Sequence, residues 1–377
     1  MDFGLRRNDE DLTDTQPRRL LMGKLEFGTY DLFQWNVIEA VPEPVDYYEQ
    51  HLSEVHLAEQ VGFKYHFIIE HQGNNVGQCT SPTVYLSALA QRTSTIRFGA
   101  MIFQLPFYNP IRLAQDAAMI DQLSRGRLEF GAGIGVLEHE FIRWNLPFHE
   151  RRAISEETLD IIKMAWTEET VTHKGKYWTF DEAIPMPRPY QKPHPPIWFG
   201  CHSPTSFEYA AVHNYNVSQN LDVDPVIAEK FDMWRGMWKA QSHPGPMLRT
   251  FLTRAIHVAE TDELAREEAA AYIVQAYASG TDRLERTRVG FKGTEDNPTT
   301  RELRRVFEGM ATGLDFWLDN GLAHVGSPKT VAKRLEQQHD LIGMDIFCGR
   351  HRFGEIPNAL VEKSIRLFGE KVIPALS

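Results

Sequence analysis

The chain has 377 residues, of which 42% are hydrophobic, 11% aromatic and 24% charged; this is the composition of a globular protein with a large core and excludes disordered and collagen-like classes. Acidic residues number 51 against 40 basic ones, a formal charge of −11, so no global positive field gathers nucleic acid or anionic lipid, and a small-molecule substrate is the favoured partner. Cys79, Cys201 and Cys348 are far apart and form no C-x-x-C, which gives neither a disulfide framework nor a zinc knuckle, and no run of about 18 apolar residues occurs; a cytoplasmic protein without a membrane span is expected.

Residues 1–22 mix charges, Thr and Pro without a period and read as a poorly ordered extension, leaving a single domain over 23–377. Leu25 to Tyr30 reads as the first strand. Tyr48, Leu52, Val55 and Ala58 then recur at helical spacing until Gly62 closes the helix. Tyr65 to Ile69 is a second strand, followed by a helix from Ser81-Pro82 to Gln91; Ile96 to Met101 is a third, followed by a helix from Asn109-Pro110 to Leu123. In both helices a capping residue precedes a proline at the first helical position. Leu128 to Phe130 is a fourth strand that runs into Gly131-Ala132-Gly133-Ile134-Gly135, with its helix at Ser155 to Trp166.

An excursion over 167–196 follows, with a hairpin about Lys174-Gly175-Lys176 and a proline-rich return. Ile197 to Phe199, Asn216 to Ser218, Thr250 to Val258 and Met344 to Cys348 complete the strands, with helices at Pro204 to Val212, Val226 to Ala240, Asp262 to Ala278, Arg301 to Leu318, Pro328 to Leu341 and Ile356 to Phe368. Eight β-then-α steps in series predict a parallel sheet, and eight is the number that closes a (β/α)8 TIM barrel. A doubly wound open sheet is the alternative, but no linker divides the chain and no G-x-G-x-x-G follows the first strand.

In a barrel the chemistry gathers on loops at the carboxyl ends of the strands. His71 follows the second strand and is either a proton-transferring imidazole or a structural histidine. Metal ligation is not expected: His51 and His56 are five apart on a helix, and His66 lies on the strand with the opposite parity from Phe67. Gly131, Gly133 and Gly135 permit close backbone approach to a flat or anionic ligand. Ser203-Pro204-Thr205-Ser206 opens a helix above the fifth strand; it is either an ordinary cap or a phosphate cradle. Phe27, Phe103, Phe107, Tyr108 and Trp198 are candidates for the floor of a pocket for a planar ring, or plain core.

Several segments together resemble the bacterial luciferase-like family of flavin-dependent monooxygenases and oxidoreductases. They are Leu25-Glu26-Phe27-Gly28, Ile68-Ile69-Glu70-His71, Thr95 to Gly99, Leu105-Pro106 with Asn109-Pro110 and Arg112, Asp121 to Arg127 running into Phe130-Gly131, Pro195-Pro196-Ile197, Val325-Gly326-Ser327-Pro328 and Asp345 to Cys348. The resemblance implies a barrel that binds FMN at the strand ends and pairs as a homodimer. It implies chemistry in which reduced FMN and O2 form a flavin C4a-hydroperoxide that oxygenates a small apolar aldehyde, ketone or related substrate. On it, His71 matches the histidine at the flavin, Ser203 and Ser206 match positions that hold the phosphate, and Met101-Ile102 matches a bond that in this family is often a non-proline cis peptide beneath the ring.

Two departures stand out. The family's phosphate-binding arginine after the fourth strand is here Ile134, leaving Arg143, Arg151 and Arg152 as candidates for the charge, and its reactive cysteine is here Gly133. The expected activity is a two-component monooxygenase supplied with reduced FMN by a separate flavin reductase. An F420-dependent dehydrogenase on the same barrel, disfavoured by the acidity of the chain, and a non-catalytic flavin-binding relative are the alternatives. The segment from Gly280 to Thr300, with Gly280, Gly290 and Gly293 as hinges, is expected to be a lid over the flavin.

Overall fold

The computed structural model describes residues 23–34, 44–73, 79–286 and 305–376. In chain order the strands are β1 (Glu26–Asp31), β2 (Tyr65–Ile68), β3 (Arg97–Ala100), β4 (Phe103–Gln104), β5 (Phe130–Gly133), β6 (Val171–Lys174), β7 (Thr179–Ala183), β8 (Ile197–Gly200), β9 (Asn216–Gln219), β10 (Thr250–Val258), β11 (Ala323–Gly326) and β12 (Ile346–Arg350). The principal helices are α1 (Pro44–Gln60), α2 (Pro82–Arg92), α3 (Pro110–Leu123), α4 (Glu138–Arg143), α5 (Arg151–Thr167), α6 (Pro204–Val212), α7 (Asp224–Ala240) and α8 (Asp262–Arg286). They continue with α9 over 305–310, then α10 (Leu314–Asp319), α11 (Pro328–Ile342) and α12 (Asn358–Leu367).

The parallel sheet runs β3-β2-β1-β12-β10-β9-β8-β5-β4, and β11 pairs with β10. The two ends of this order meet. Phe98 of β3 pairs in parallel with Leu128, just before β5, through Phe98 N–H to the Arg127 carbonyl at 3.0 Å and Glu129 N–H to the Phe98 carbonyl at 2.9 Å; β4 then pairs with β5 at Phe103–Ala132 and Gln104–Gly133. The result is the expected (β/α)8 barrel, with β4 as a continuation of β3 along the seam. Two glycines allow the seam to form: a Cβ on Gly99 would lie 1.9 Å from the Glu129 carbonyl oxygen, and one on Gly131 would lie 2.1 Å from that of Ala100.

Alternate residues along the strands divide the core. Tyr30, Tyr65, Phe67, Met101, Trp198, Phe251, Ile346 and Cys348 pack with one another inside the barrel, while Phe98, Ala100, Phe130, Phe199, Val217, Leu252 and Phe347 pack outward against the helices, as the two-residue period of a strand requires. Below the inner layer, Glu129 is held by Arg97 and by the Trp198 indole N–H at 2.6 Å, and Glu26 by Lys64 at 2.7 Å and Arg249 at 2.5 Å, so the amino-terminal end is closed by paired charge.

Several expectations are corrected. The fourth strand does not end at Phe130; Gly131 and Gly133 lie inside β5, and only Gly135, with φ +73°, belongs to the turn beyond it. The helix expected over Arg301 to Leu318 is broken at Gly313 into α9 and α10. β4, β11 and the six-residue α4 were not expected. Residues 280–286 of the expected lid are helical in α8; 287–300, the rest of it, lies outside the described residues, as does the amino-terminal extension 1–22. The hairpin in the excursion is present as antiparallel β6 and β7. Among the described residues no helix is long and apolar enough to cross a membrane.

Candidate active site

Four neighbouring strands carry the candidate residues. His71 follows β2, Met101 and Ile102 lie between β3 and β4, Gly133 ends β5, and Ser203 follows β8; in the barrel these strands are consecutive. At an inter-strand spacing of about 4.8 Å they form an arc of about 14 Å along the carboxyl-terminal rim.

At one end of the arc, His71 Nδ1 is 2.9 Å from Glu140 Oε1 on α4. The Gln72 N–H donates to the same oxygen at 2.9 Å, and Arg143, one turn further along α4, donates to the Gly73 carbonyl at 2.6 Å. α4 therefore grips the loop after β2 at three successive residues. Glu140 is fully buried, and burial alone would raise its pKa; the imidazole and the Gln72 N–H outweigh it and hold the carboxyl below its usual range. The neighbouring Glu70 is also buried, and there burial wins, pushing its pKa up to about 7 against the Tyr108 hydroxyl, the Gln104 N–H and the Gln72 amide. Those donors reach it at 2.7, 2.9 and 2.5 Å, tying the end of β2 to β4.

In the middle of the arc the Met101–Ile102 peptide is cis. The Met101 carbonyl accepts from the Tyr30 hydroxyl at 2.7 Å, and the Met101 N–H donates to the Ile68 carbonyl at 2.7 Å. The Ile102 side chain lies across β5 and β8: a Cβ on Gly133 would sit 2.1 Å from Ile102 Cδ1, and one on Gly200 3.1 Å from Ile102 Cγ2. The close approach that Gly133 permits is thus, in the first place, that of Ile102.

At the far end Ser203 precedes α6 with extended backbone, and its side chain makes no capping bond. Its hydroxyl instead lies 2.9 Å from that of Thr205 and 3.0 Å from that of Ser206. Arg152, near the start of α5, donates to Ser206 Oγ at 3.2 Å and to Thr205 Oγ1 at 3.4 Å. Of the three arginines named from sequence, it alone joins the serines; Arg143 holds Gly73, and Arg151 lies over the Phe148 ring and donates to the Phe148 carbonyl. Three hydroxyls, a guanidinium and the first turn of a helix form a donor-rich set that suits a phosphate group.

The aromatic residues proposed as a floor do not converge. Phe27 packs outward on Phe368, Phe103 on Phe130 and Tyr108, and Phe107 on Phe141 and Trp144; Trp198 lies deeper in the barrel among Phe67 and Phe251. Val136, Ile142 and Trp144 are exposed, and the Trp144 indole nitrogen lies 3.6 Å from the position of a Cβ on Gly73. Cys79, Cys201 and Cys348 are buried free thiols, and burial pushes each pKa above its usual value, so none is a ready nucleophile. Among the described residues no cluster of His, Cys, Asp and Glu has the arrangement of a metal site.

Comparison with known proteins finds monooxygenases among those similar to this chain. Limonene 1,2-monooxygenase of Rhodococcus erythropolis is 27% identical over 84% of this chain and 78% of its own. The oxygenase component of the flavin-dependent trigonelline monooxygenase of Acinetobacter baylyi is 31% identical over 45% of this chain and 48% of its own. The oxygenating constituent of 3,6-diketocamphane monooxygenase from Pseudomonas putida, solved in complex with FMN, superposes with a TM-score of 0.73 at 20% identity over 93% of this chain and 99% of that one. With the luciferase-like monooxygenase model matching residues 25–344, the chain belongs to the luciferase-like monooxygenases, a family of oxidoreductases built on this barrel.

Proposed function

We propose that the protein is the oxygenase of a two-component flavin system, binding reduced FMN from a separate reductase and oxygenating a small apolar aldehyde, ketone or related compound with O2. The observation that carries this reading is the order of groups along one arc of the rim: an imidazole, a cis peptide with an aliphatic side chain spread over two glycine-bearing strands, then a hydroxyl and guanidinium cluster at a helix start. An elongated ligand with a planar head and an anionic tail matches that order. The name of the trigonelline relative, an oxygenase component, supports the separate reductase.

In this reading Ser203, Thr205 and Ser206 donate to the flavin phosphate, and Arg152 supplies the charge that Ile134 does not. Met101, Ile102 and Gly133 form the bed for the ring. Reduced FMN, when bound, supplies the electrons that activate O2. His71 holds or moves a proton through its ring nitrogen.

Anaerobic titration of the purified protein with reduced FMN, oxidised FMN and F420 tests the proposal. Saturable binding of reduced FMN, weakened in Ser203→Ala, is expected. Tight binding of F420 with none of reduced FMN would replace it with the dehydrogenase alternative.

A further inference from the structure

We infer that Glu140 is the positioning residue of His71, fixing the imidazole with its proton on Nδ1 and leaving Nε2 as the nitrogen that acts. The inference deepens the proposed function and rests on it for the use of Nε2, but the lock itself is a property of this chain alone. Its first support is geometric. Glu140 is completely buried, His71 retains 13% side-chain exposure, and the one hydrogen bond to the ring is between Nδ1 and Glu140 Oε1; among the described residues Nε2 has no partner.

The second support is chemical. An ionised carboxylate only accepts, and the pull of the imidazole and the Gln72 N–H keeps Glu140 ionised. The neutral ring must then present N–H at Nδ1 and a lone pair at Nε2. When Nε2 takes a proton, the same carboxylate faces the positive charge, as the third group of a nucleophile–base–orienter set does. The other charged or titratable groups near the ring are His139 and Arg143 on α4 and Glu70 beside it on the chain. Glu140 is alone among these groups in being hydrogen-bonded to His71.

The third support is mechanical. Oε1 also accepts from the Gln72 N–H, and α4 holds the Gly73 carbonyl through Arg143, so ring and backbone are fixed by one short helix. That helix is joined to β5 through Gly135, a left-handed turn at φ +73°. Carboxylate and imidazole, 69 residues apart in sequence, thereby keep a constant relation to the seam between β3 and β5.

The test is ¹⁵N-histidine NMR on the flavin-free full-length protein, with the His71 signals assigned by their loss in His71→Gln. The wild type is expected to show the Nδ1–H tautomer at neutral pH. In Glu140→Gln, which keeps the shape and removes the charge, the amide can donate as well as accept, so the preference for the Nδ1–H tautomer is expected to be lost. An Nε2–H tautomer in the wild type overturns the inference without any variant being needed, and an unchanged tautomer preference in folded Glu140→Gln overturns it as well. Failure of the proposed function is separately visible: if His71→Gln consumes O2 with reduced FMN at the wild-type rate, the histidine has no catalytic role, whatever its tautomer.

Discussion

Arg152 and Ser206 lie 3.2 Å apart at the start of two helices that are far apart in sequence, and they share their donors with Ser203 and Thr205. Ser203→Ala removes one neutral donor, and flavin binding is expected to weaken by about 1–2 kcal/mol in an anaerobic titration, the scale of a hydrogen bond to a charged group. Arg152→Met removes charge as well and should weaken it at least as much, with the loss growing at low ionic strength; equal affinity in wild type and variant would exclude Arg152 as the charge partner. The placement of His71 and Ser203 after their strands is legible in the sequence, because short β-rich runs precede them and because Ser-Pro marks a helix start. Glu140 was not, since a glutamate in a short polar stretch carries no signal of a partner before β2 and α4. Arg152 was one of three arginines that only tertiary placement separates.

At the scale of elements, the seam between β3 and β5 is the part of the barrel with least tolerance. A Cβ on Gly99 meets backbone, the Glu129 carbonyl, at 1.9 Å, whereas one on Gly133 meets the movable end of Ile102 at 2.1 Å. Gly99→Ala is therefore expected to cost about 2–3 kcal/mol, the range of an overpacked core, read as a lowered midpoint in urea. Gly133→Ala is expected to cost less, and Ile102→Val should restore part of the loss; equal costs at the two positions would mean that the seam relaxes freely. At the same seam the glycine run reads as a loop in sequence but lies partly within β5. Glycine normally marks turns, and here it marks strands that press together. β4 and β11, at two and four residues, are too short to show a period in the sequence, whereas the long helices, with prolines in the first turn at α2, α3, α6 and α11, are legible close to their true limits.

Across the whole molecule, stability is expected to depend on three histidines buried as neutral rings. Burial pushes His66 and His324 down to about 4 and His351 to about 3. From a usual value near 6.5 down to about 4 the unfolded chain takes up protons that the folded one refuses, so each ring withdraws stability as the pH falls through that window, on the order of 3 kcal/mol when complete. Glu70, raised to about 7, works in the opposite sense, because the folded state binds its proton first. The contribution of one ring is isolated by comparing thermal midpoints of wild type and His66→Gln from pH 7 to pH 4. The two curves should converge as the pH falls, since the variant has no ring to protonate; parallel curves would show that His66 does not titrate differently on folding. His66 and His51 line one cavity of about 20 Å³ with His351, Asp31 and Arg352 between the barrel and α1 and α12. Among the described residues the Nε2 atoms of His51, His66 and His351 have no hydrogen-bond partner.

The central claim is that one arc of the barrel rim, from His71 across Ile102 and Gly133 to Ser203, holds a flavin. A crystal structure of the protein grown with FMN tests it most directly. The expected density has the phosphate within hydrogen-bonding distance of Ser203, Ser206 and Arg152 and the ring against Ile102 with His71 at its edge. Ordered FMN elsewhere on the barrel, with Arg152 still turned to the serines and no phosphate between them, would contradict the account.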